Sequence, residues 1–163
     1  MRWLLILLCS LPVSSWACTT DAIFSPYDDI EQSIYDTLWS SQTSIHASLF
    51  GISNERLADV LVEKAKVGVE VKVALDLKQS SLDSDLHRKL TRAGADVTIK
   101  PIGVLEHNKF VVVDGKTVVM GSWNWSGNAQ RQDNSDVIFT NCREIAKKFE
   151  QAYERIEARD RHP

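Results

Sequence analysis

Apolar positions along the chain switch repeatedly between helical and strand periods. From Tyr27 to Trp39, Ile30, Ile34, Tyr35 and Leu38 recur at helical spacing, and Asp28 and Asp29 lie near the start, where carboxylates favour a helix N-terminus. Thr43 to Phe50 alternates and is rich in strand formers until Gly51 breaks it. Asn54 predicts the cap of a second helix with Leu57, Val60, Leu61 and Ala65 on one face, ended by Gly68. Val69 to Leu77 reads as a strand, Ser81 to Ala93 as a third helix ending at Gly94, and Asp96 to Lys100 as a short strand. The runs Phe110 to Val113 and Thr117 to Met120 flank Asp114-Gly115-Lys116, and the Asp-Gly pair predicts a hairpin. A strand near Val137 to Phe139 precedes a closing helix from Cys142 to Ala158, with Ile145, Phe149, Ala152 and Ile156 as its apolar face. This succession predicts a single α/β domain, a mixed, mostly parallel β-sheet flanked by helices.

Composition narrows the class without naming a function. Of 163 residues, 44% are hydrophobic and 25% charged, which excludes a disordered or fibrous chain. The net charge of -3 argues against a protein that coats nucleic acid through an overall positive field, while leaving a local basic groove open. The first residues change the picture more. Met1-Arg2, the apolar run Trp3 to Leu8 continued by Leu11 to Val13, and Ser15-Trp16-Ala17 have the layout of a signal peptide cleaved after Ala17. The expectation is therefore a signal peptide at 1–17, a domain at 18–163 and a periplasmic or secreted protein without stable membrane insertion. Lipid anchoring through Cys18 is the minor alternative, because Ser15 and Trp16 match the lipidation pattern poorly. Cys9 leaves with the signal, so Cys18 and Cys142 remain as a disulfide, two free thiols or a link between chains. No metal-site spacing is visible, and His46, His87, His107 and His162 stand singly.

The candidate chemistry lies in the hairpin and just after it. In an extended strand, His107 and Lys109 project to one face, and the hairpin returns Ser122 and Asn124 beside them. An imidazole, an ammonium, a hydroxyl and an amide converge at one end of a sheet. An imidazole is able to attack phosphorus, while the other three groups hold phosphate oxygens and stabilise developing charge.

His107-x-Lys109-(x)4-Asp114-(x)6-Gly121-Ser122-x-Asn124 resembles, without a gap, the signature of the phospholipase D superfamily. Segments such as Lys66-Val67-Gly68-Val69-Glu70-Val71 and Ala93-Gly94-Ala95-Asp96-Val97 are similar to the units that precede that motif in its small, single-motif members. These include Nuc-type bacterial endonucleases and mitochondrial cardiolipin-cleaving and piRNA-processing relatives. The resemblance implies a phospholipase D-like fold and a metal-independent phosphodiesterase with no cofactor. It implies that His107 forms a phosphohistidine, Lys109 and Asn124 bind non-bridging oxygens, Ser122 supports their pocket, and Asp114 serves structure near the turn. It further implies a homodimer whose two His107 rings share one site, since the second motif that normally supplies the leaving-group acid is missing. The family's downstream Asn-x-Glu corresponds here to Asn134-Ser135-Asp136, so Asp136 is the expected orienter of His107, with Asp133 as the fallback.

Isolated, each of these residues has a plainer reading. His107 and Lys109 would be a strand edge, and Ser122 and Asn124 turn formers; the gapless constellation outweighs both. Trp123 and Trp125 fit the core or a dimer contact better than a base-stacking surface. Lys147, Lys148, Arg143, Arg155, Arg159 and Arg161 fit a solvated helix face better than a nucleic-acid rim. The first expectation is a nuclease acting on DNA or RNA, the alternative a phospholipase D acting on phospholipid head groups, and a third reading an inactive binding protein of the same fold.

Overall fold

The computed structural model describes residues 17–76, 78–79, 84–100, 103 and 105–161. The expected signal segment, Ala17 excepted, and the expected helix start at Ser81 lie outside these residues. The elements are β1 (Thr19–Ser25), α1 (Ile30–Trp39), β2 (Ser44–Leu49), α2 (Glu55–Lys66), β3 (Glu70–Leu75), α3 (Ser84–Arg92), β4 (Asp96–Ile99), β5 (Lys109–Val113), β6 (Thr117–Gly121), β7 (Asn134–Thr140) and α4 (Arg143–Arg161). The seven strands form one sheet in the order β1-β7-β6-β5-β2-β3-β4.

The mixed sheet flanked by helices is as expected, but its parallel share is smaller. Only β2–β3 and β3–β4 pair in parallel; β2–β5, β5–β6, β6–β7 and β7–β1 are antiparallel. Helical crossovers, which parallel pairing requires, connect β2, β3 and β4, whereas the later strands return through a hairpin and loops. Among the described residues, no helix is long and apolar enough to cross a membrane.

Strand alternation assigns a layer to each side of the sheet. Ile45, Ala47 and Leu49 of β2, Val71 and Val73 of β3, and Val111 and Val113 of β5 join Ile30, Ile34 and Leu38 of α1 and Leu57 and Leu61 of α2 in one buried cluster. On the other side Phe110, Val112 and Val118 pack with Ala146 and Tyr153 of α4. Asp29 and Asn54 cap α1 and α2 by accepting from Gln32 N–H (2.9 Å) and Leu57 N–H (3.1 Å). Strand β1 was not expected. Only Ile23 and Ser25 of it are buried, as suits a sheet edge, and its apolar residues Ala22-Ile23-Phe24 run together without the alternation that marks a strand. A Cys18–Cys142 disulfide joins the start of β1 to the start of α4. In the chain-entropy view, a cross-link over a loop of this order stabilises by about 4–5 kcal/mol.

Between β2, β3 and α4 lies a charged cluster that clamps the last helix to the sheet. His46 Nδ1 is 2.6 Å from Glu150 Oε2 and Nε2 is 2.8 Å from Glu70 Oε1, while the ring stacks on Tyr153. Lys72 Nζ is 3.2 Å from Glu70. Burial opposes a charge on His46, yet the two carboxylates outweigh it and raise the imidazole above its usual range. This stabilisation is fully present below the unfolded histidine value near 6.5 and is lost as pH rises through the higher folded value. Urea midpoints between pH 6 and pH 9 will therefore fall more steeply for the native chain than for a His46→Gln variant. Parallel profiles would remove His46 as the titrating clamp.

Candidate active site

The hairpin places the signature residues at one end of the sheet. Asp114 and Gly115 take left-handed φ values of 52° and 58°, and Lys116 N–H closes the turn onto Val113 C=O at 3.1 Å. Asp114 then reaches away from the hairpin. Its Oδ1 accepts from the backbone N–H of Thr43 (2.8 Å) and Ser44 (3.1 Å) and from the Thr43 hydroxyl (2.9 Å), and Oδ2 from Gln42 N–H (3.1 Å). Burial works against the charged carboxyl, but these donors hold it below the ordinary carboxylate range. Asp114 thus ties the turn to the entrance of β2, at the opposite end of the sheet from His107.

At the other end, Lys109 opens β5 opposite Leu49, and β6 ends at Gly121. His107 is exposed, and its ring meets Phe50 edge-on at 5.0 Å between centroids. Lys109 is half-buried; its Nζ donates to the His107 carbonyl (2.8 Å) and lies 5.1 Å from the centre of the Phe50 ring. Burial lowers the Lys109 ammonium and the nearby Glu106 carboxylate opposes that shift. Phe50 is a site residue that the sequence pattern did not single out, because at a strand end it reads as core.

The segment after β6 is held from β7. Ser122 N–H donates to Ser135 C=O (3.1 Å), its hydroxyl donates to Asn134 Oδ1 (3.1 Å), and Ser135 N–H donates back to the hydroxyl oxygen (3.1 Å). Asn134 Nδ2 donates onward to Ala129 C=O (3.1 Å). Asn124 is half-buried, and its Oδ1 finds no donor among the described residues, a shortfall of about 1–3 kcal/mol for a buried polar atom. Trp123 and Trp125 are buried in the core, which removes the base-stacking reading, and Trp125 C=O accepts from Ser53 and Asn54 N–H. Arg143, Lys147, Lys148 and Arg155 are exposed on α4.

Asp136 is held by the segment beside it. It is buried on β7, and its Oδ1 accepts from Trp123 N–H (3.0 Å). Among the described residues the His107 ring makes no hydrogen bond, either to Asp136 or to Asp133, which lies exposed before β7. The shorter Asp side chain is engaged by the backbone beside it. Burial pushes its carboxyl up, with the Trp123 and Ser122 N–H groups pulling it back. Asp136 here braces the turn that carries Ser122 and Asn124.

The site and fold together define a phosphodiesterase of the phospholipase D class. Residues 34–157 match the family model "Cardiolipin synthase, PLD-like domain", and the chain belongs to this family within the phospholipase D superfamily. It is 31% identical over 140 residues to "Phospholipase D" of Rickettsia bellii, covering 84% of this chain and 68% of that one. It is 26% identical to "Mitochondrial cardiolipin hydrolase" of Chlamydomonas reinhardtii, covering 74% of this chain and 54% of that one. The chain thus spans between about half and two thirds of these relatives. In fold it is similar to the phospholipase D family member Nuc from Salmonella typhimurium, with a TM-score of 0.81 at 20% identity over 88% of this chain and 96% of that one. It also resembles NucT from Helicobacter pylori, with a TM-score of 0.70 at 18% identity over 86% and 96%.

Gly121 gives a direct test of the brace. A Cβ there would overlap Asp136 Oδ1 and the Ser135 carbonyl oxygen. Gly121→Ala will destabilise the protein by about 1–3 kcal/mol, the usual cost of overpacking. In the Asp136→Ala background the alanine will cost less but still destabilise, since the Ser135 carbonyl remains. Equal stability of native and Gly121→Ala proteins in urea would show that the two strands are not packed this closely.

Proposed function

We propose that this protein is an exported, metal-independent nuclease that cleaves phosphodiesters through a phosphohistidine on His107. The observation that carries the reading is the exposed His107 imidazole beside the Lys109 ammonium, at the sheet end that also bears Ser122 and Asn124. A ring nitrogen of His107 attacks phosphorus while the bond to the leaving oxygen breaks. Lys109 and the Asn124 amide hold the two non-bridging oxygens as charge builds on them, and the Ser122–Asn134 pair fixes that pocket. A proton is delivered to the leaving oxygen, and water then displaces the histidine with loss of a proton to a base. One imidazole does not serve as nucleophile and acid together, so His107 of a second copy takes the acid and base role across a two-fold interface.

Two observations favour nucleic acid. His107 and Ser122 lie exposed, open to a long polymer, and the fold is similar to Nuc over nearly the whole of that chain. A phospholipid substrate is the second reading, supported by the printed names of the curated relatives and by Leu105, 60% exposed two residues before His107. Export is supported by the signal-like first residues and by the disulfide, a bond of oxidising compartments. The same bond occupies the Cys18 sulfur that a lipid anchor would need.

His107→Ala will fold and lose at least about a thousandfold of the rate on bis-(p-nitrophenyl) phosphate, and the native rate will survive excess EDTA. A His107→Ala rate near native would remove the nucleophile. Parallel incubation with single-stranded DNA, duplex DNA, RNA, and phosphatidylcholine or cardiolipin vesicles will show nucleic acid cleaved fastest; faster release of lipid head groups would establish the second reading instead. Sedimentation at micromolar concentration will report a dimer, and an active monomer would contradict the shared site.

A further inference from the structure

Directly beneath His107 lies an ion pair that the proposed chemistry does not use. Glu106 is 0% and Lys100 4% exposed, with Lys100 Nζ 2.9 Å from Glu106 Oε2. A carboxylate and an ammonium withdrawn from water are a poor source of stability, since apolar residues of similar volume commonly do as well. The bonds of the other carboxylate oxygen point to a different use. Glu106 Oε1 accepts both from the backbone N–H of Asn108 (3.0 Å) and from its side-chain Nδ2 (2.6 Å). The carboxylate therefore reaches past His107 and closes a ring from the residue before it to the residue after it.

Both ends of that ring are fixed to the sheet. Glu106 N–H donates to Asp76 Oδ2 (3.1 Å), and Asp76, 4% exposed beyond the end of β3, also accepts Lys78 N–H through Oδ1 (2.9 Å). Lys100 N–H donates to Leu75 C=O (2.9 Å), placing the ammonium's own backbone on the same strand end. Asn108 C=O accepts Phe50 N–H (2.9 Å), and Phe50 is the ring against which His107 rests. The ends of β2, β3 and β4 thus grip the residues on either side of His107, leaving its side chain exposed between them.

We propose that Glu106, with its charge balanced by Lys100, is a positioning residue that clamps the 106–108 segment and so fixes the direction from which the His107 ring meets phosphorus. The proposal rests on the reading of His107 as nucleophile. Small errors in such an approach are expensive: a displacement of about 1 Å is able to cost on the order of a hundredfold in rate. The Glu106 carboxylate also supports the Lys109 ammonium against burial, which ties the clamp to the second charged member of the site.

Two double variants separate clamp from packing. Glu106→Leu with Lys100→Met removes both charges and the acceptor, whereas Glu106→Gln with Lys100→Met removes the charges and keeps an amide oxygen for Asn108. Both will remain folded, since neither leaves a buried charge unpaired. On bis-(p-nitrophenyl) phosphate, the Leu/Met protein will lose about a hundredfold in kcat with KM within about threefold of native. The Gln/Met protein will keep kcat within about threefold at neutral pH, and the alkaline limb of its pH profile will move to lower pH as Lys109 loses its supporting carboxylate. A folded Leu/Met protein with native kcat would reduce the pair to a structural one. Amide exchange of Asn108 in the native protein tests the clamp without substitution: it will be protected like Val111 in β5, and exchange at the rate of an open loop would overturn the proposal. His107→Ala measured alongside separates the claims. If it is active, the nucleophile reading fails and this proposal with it; if it is inactive while Leu/Met is fully active, only the role of Glu106 fails.

Discussion

Hairpin register is the constraint on which the rest of the molecule depends. Side chains alternate across a strand, so a slip of one residue in the β5–β6 pairing would turn Lys109 and Val111 to the opposite layer. Pairing of Val113 with Thr117 and Phe110 with Met120 fixes which end of the hairpin carries each half of the signature. Asp114 secures it from the far end, because a carboxylate engaged by the backbone of Gln42, Thr43 and Ser44 holds the turn against the entrance of β2. The one acidic residue of the signature that lies away from the cradle thereby determines that the cradle forms.

From that anchor the sheet divides its work between ends and faces. Its two layers bury apolar residues in the ordinary way, with the His46 cluster tying α4 to β2 and β3 and the disulfide tying α4 to β1. The carboxyl ends of the parallel strands β2, β3 and β4 supply Phe50, Asp76 and Lys100, which surround the segment leading into His107. This is the general location of sites in open α/β sheets, where strand ends leave a crevice free of regular pairing. The antiparallel half contributes the other wall: β7 supplies Asn134, Ser135 and Asp136, and all three hold the Ser122–Asn124 turn from beside it.

Much of this was legible in sequence because the responsible signals are local. Asn54 and Gly68 mark the ends of α2, Asp114-Gly115 marks the hairpin, apolar alternation marks β2 and β3, and a continuous apolar run marks β5. The spacing from His107 to Asn124 led directly to the candidate site. What was not legible depends on partners distant in the chain. Strand β1 exists through its pairing with β7, over a hundred residues later, and its own residues are mostly exposed and do not alternate. The share of antiparallel pairing depends on where β7 and β1 add to the sheet, which no local signal specifies. Asp136, expected beside His107, and Glu106, an acidic residue that composition alone places on the surface, both have partners the sequence did not name. The first is buried against the Trp123 backbone and the second against Lys100, a partner that only the fold brings within reach.

The proposed chemistry then follows from having an imidazole and an ammonium at a rigid strand end that also bears the Asn124 amide. The central claim is that phosphorus is attacked twice, first by His107 and then by water. A diester made chiral at phosphorus, with one non-bridging oxygen replaced by sulfur and hydrolysed in isotopically labelled water, reports the number of displacements directly. Two in-line displacements predict overall retention of configuration at phosphorus. Inversion would mean a single attack by water, and would contradict a covalent intermediate on this histidine.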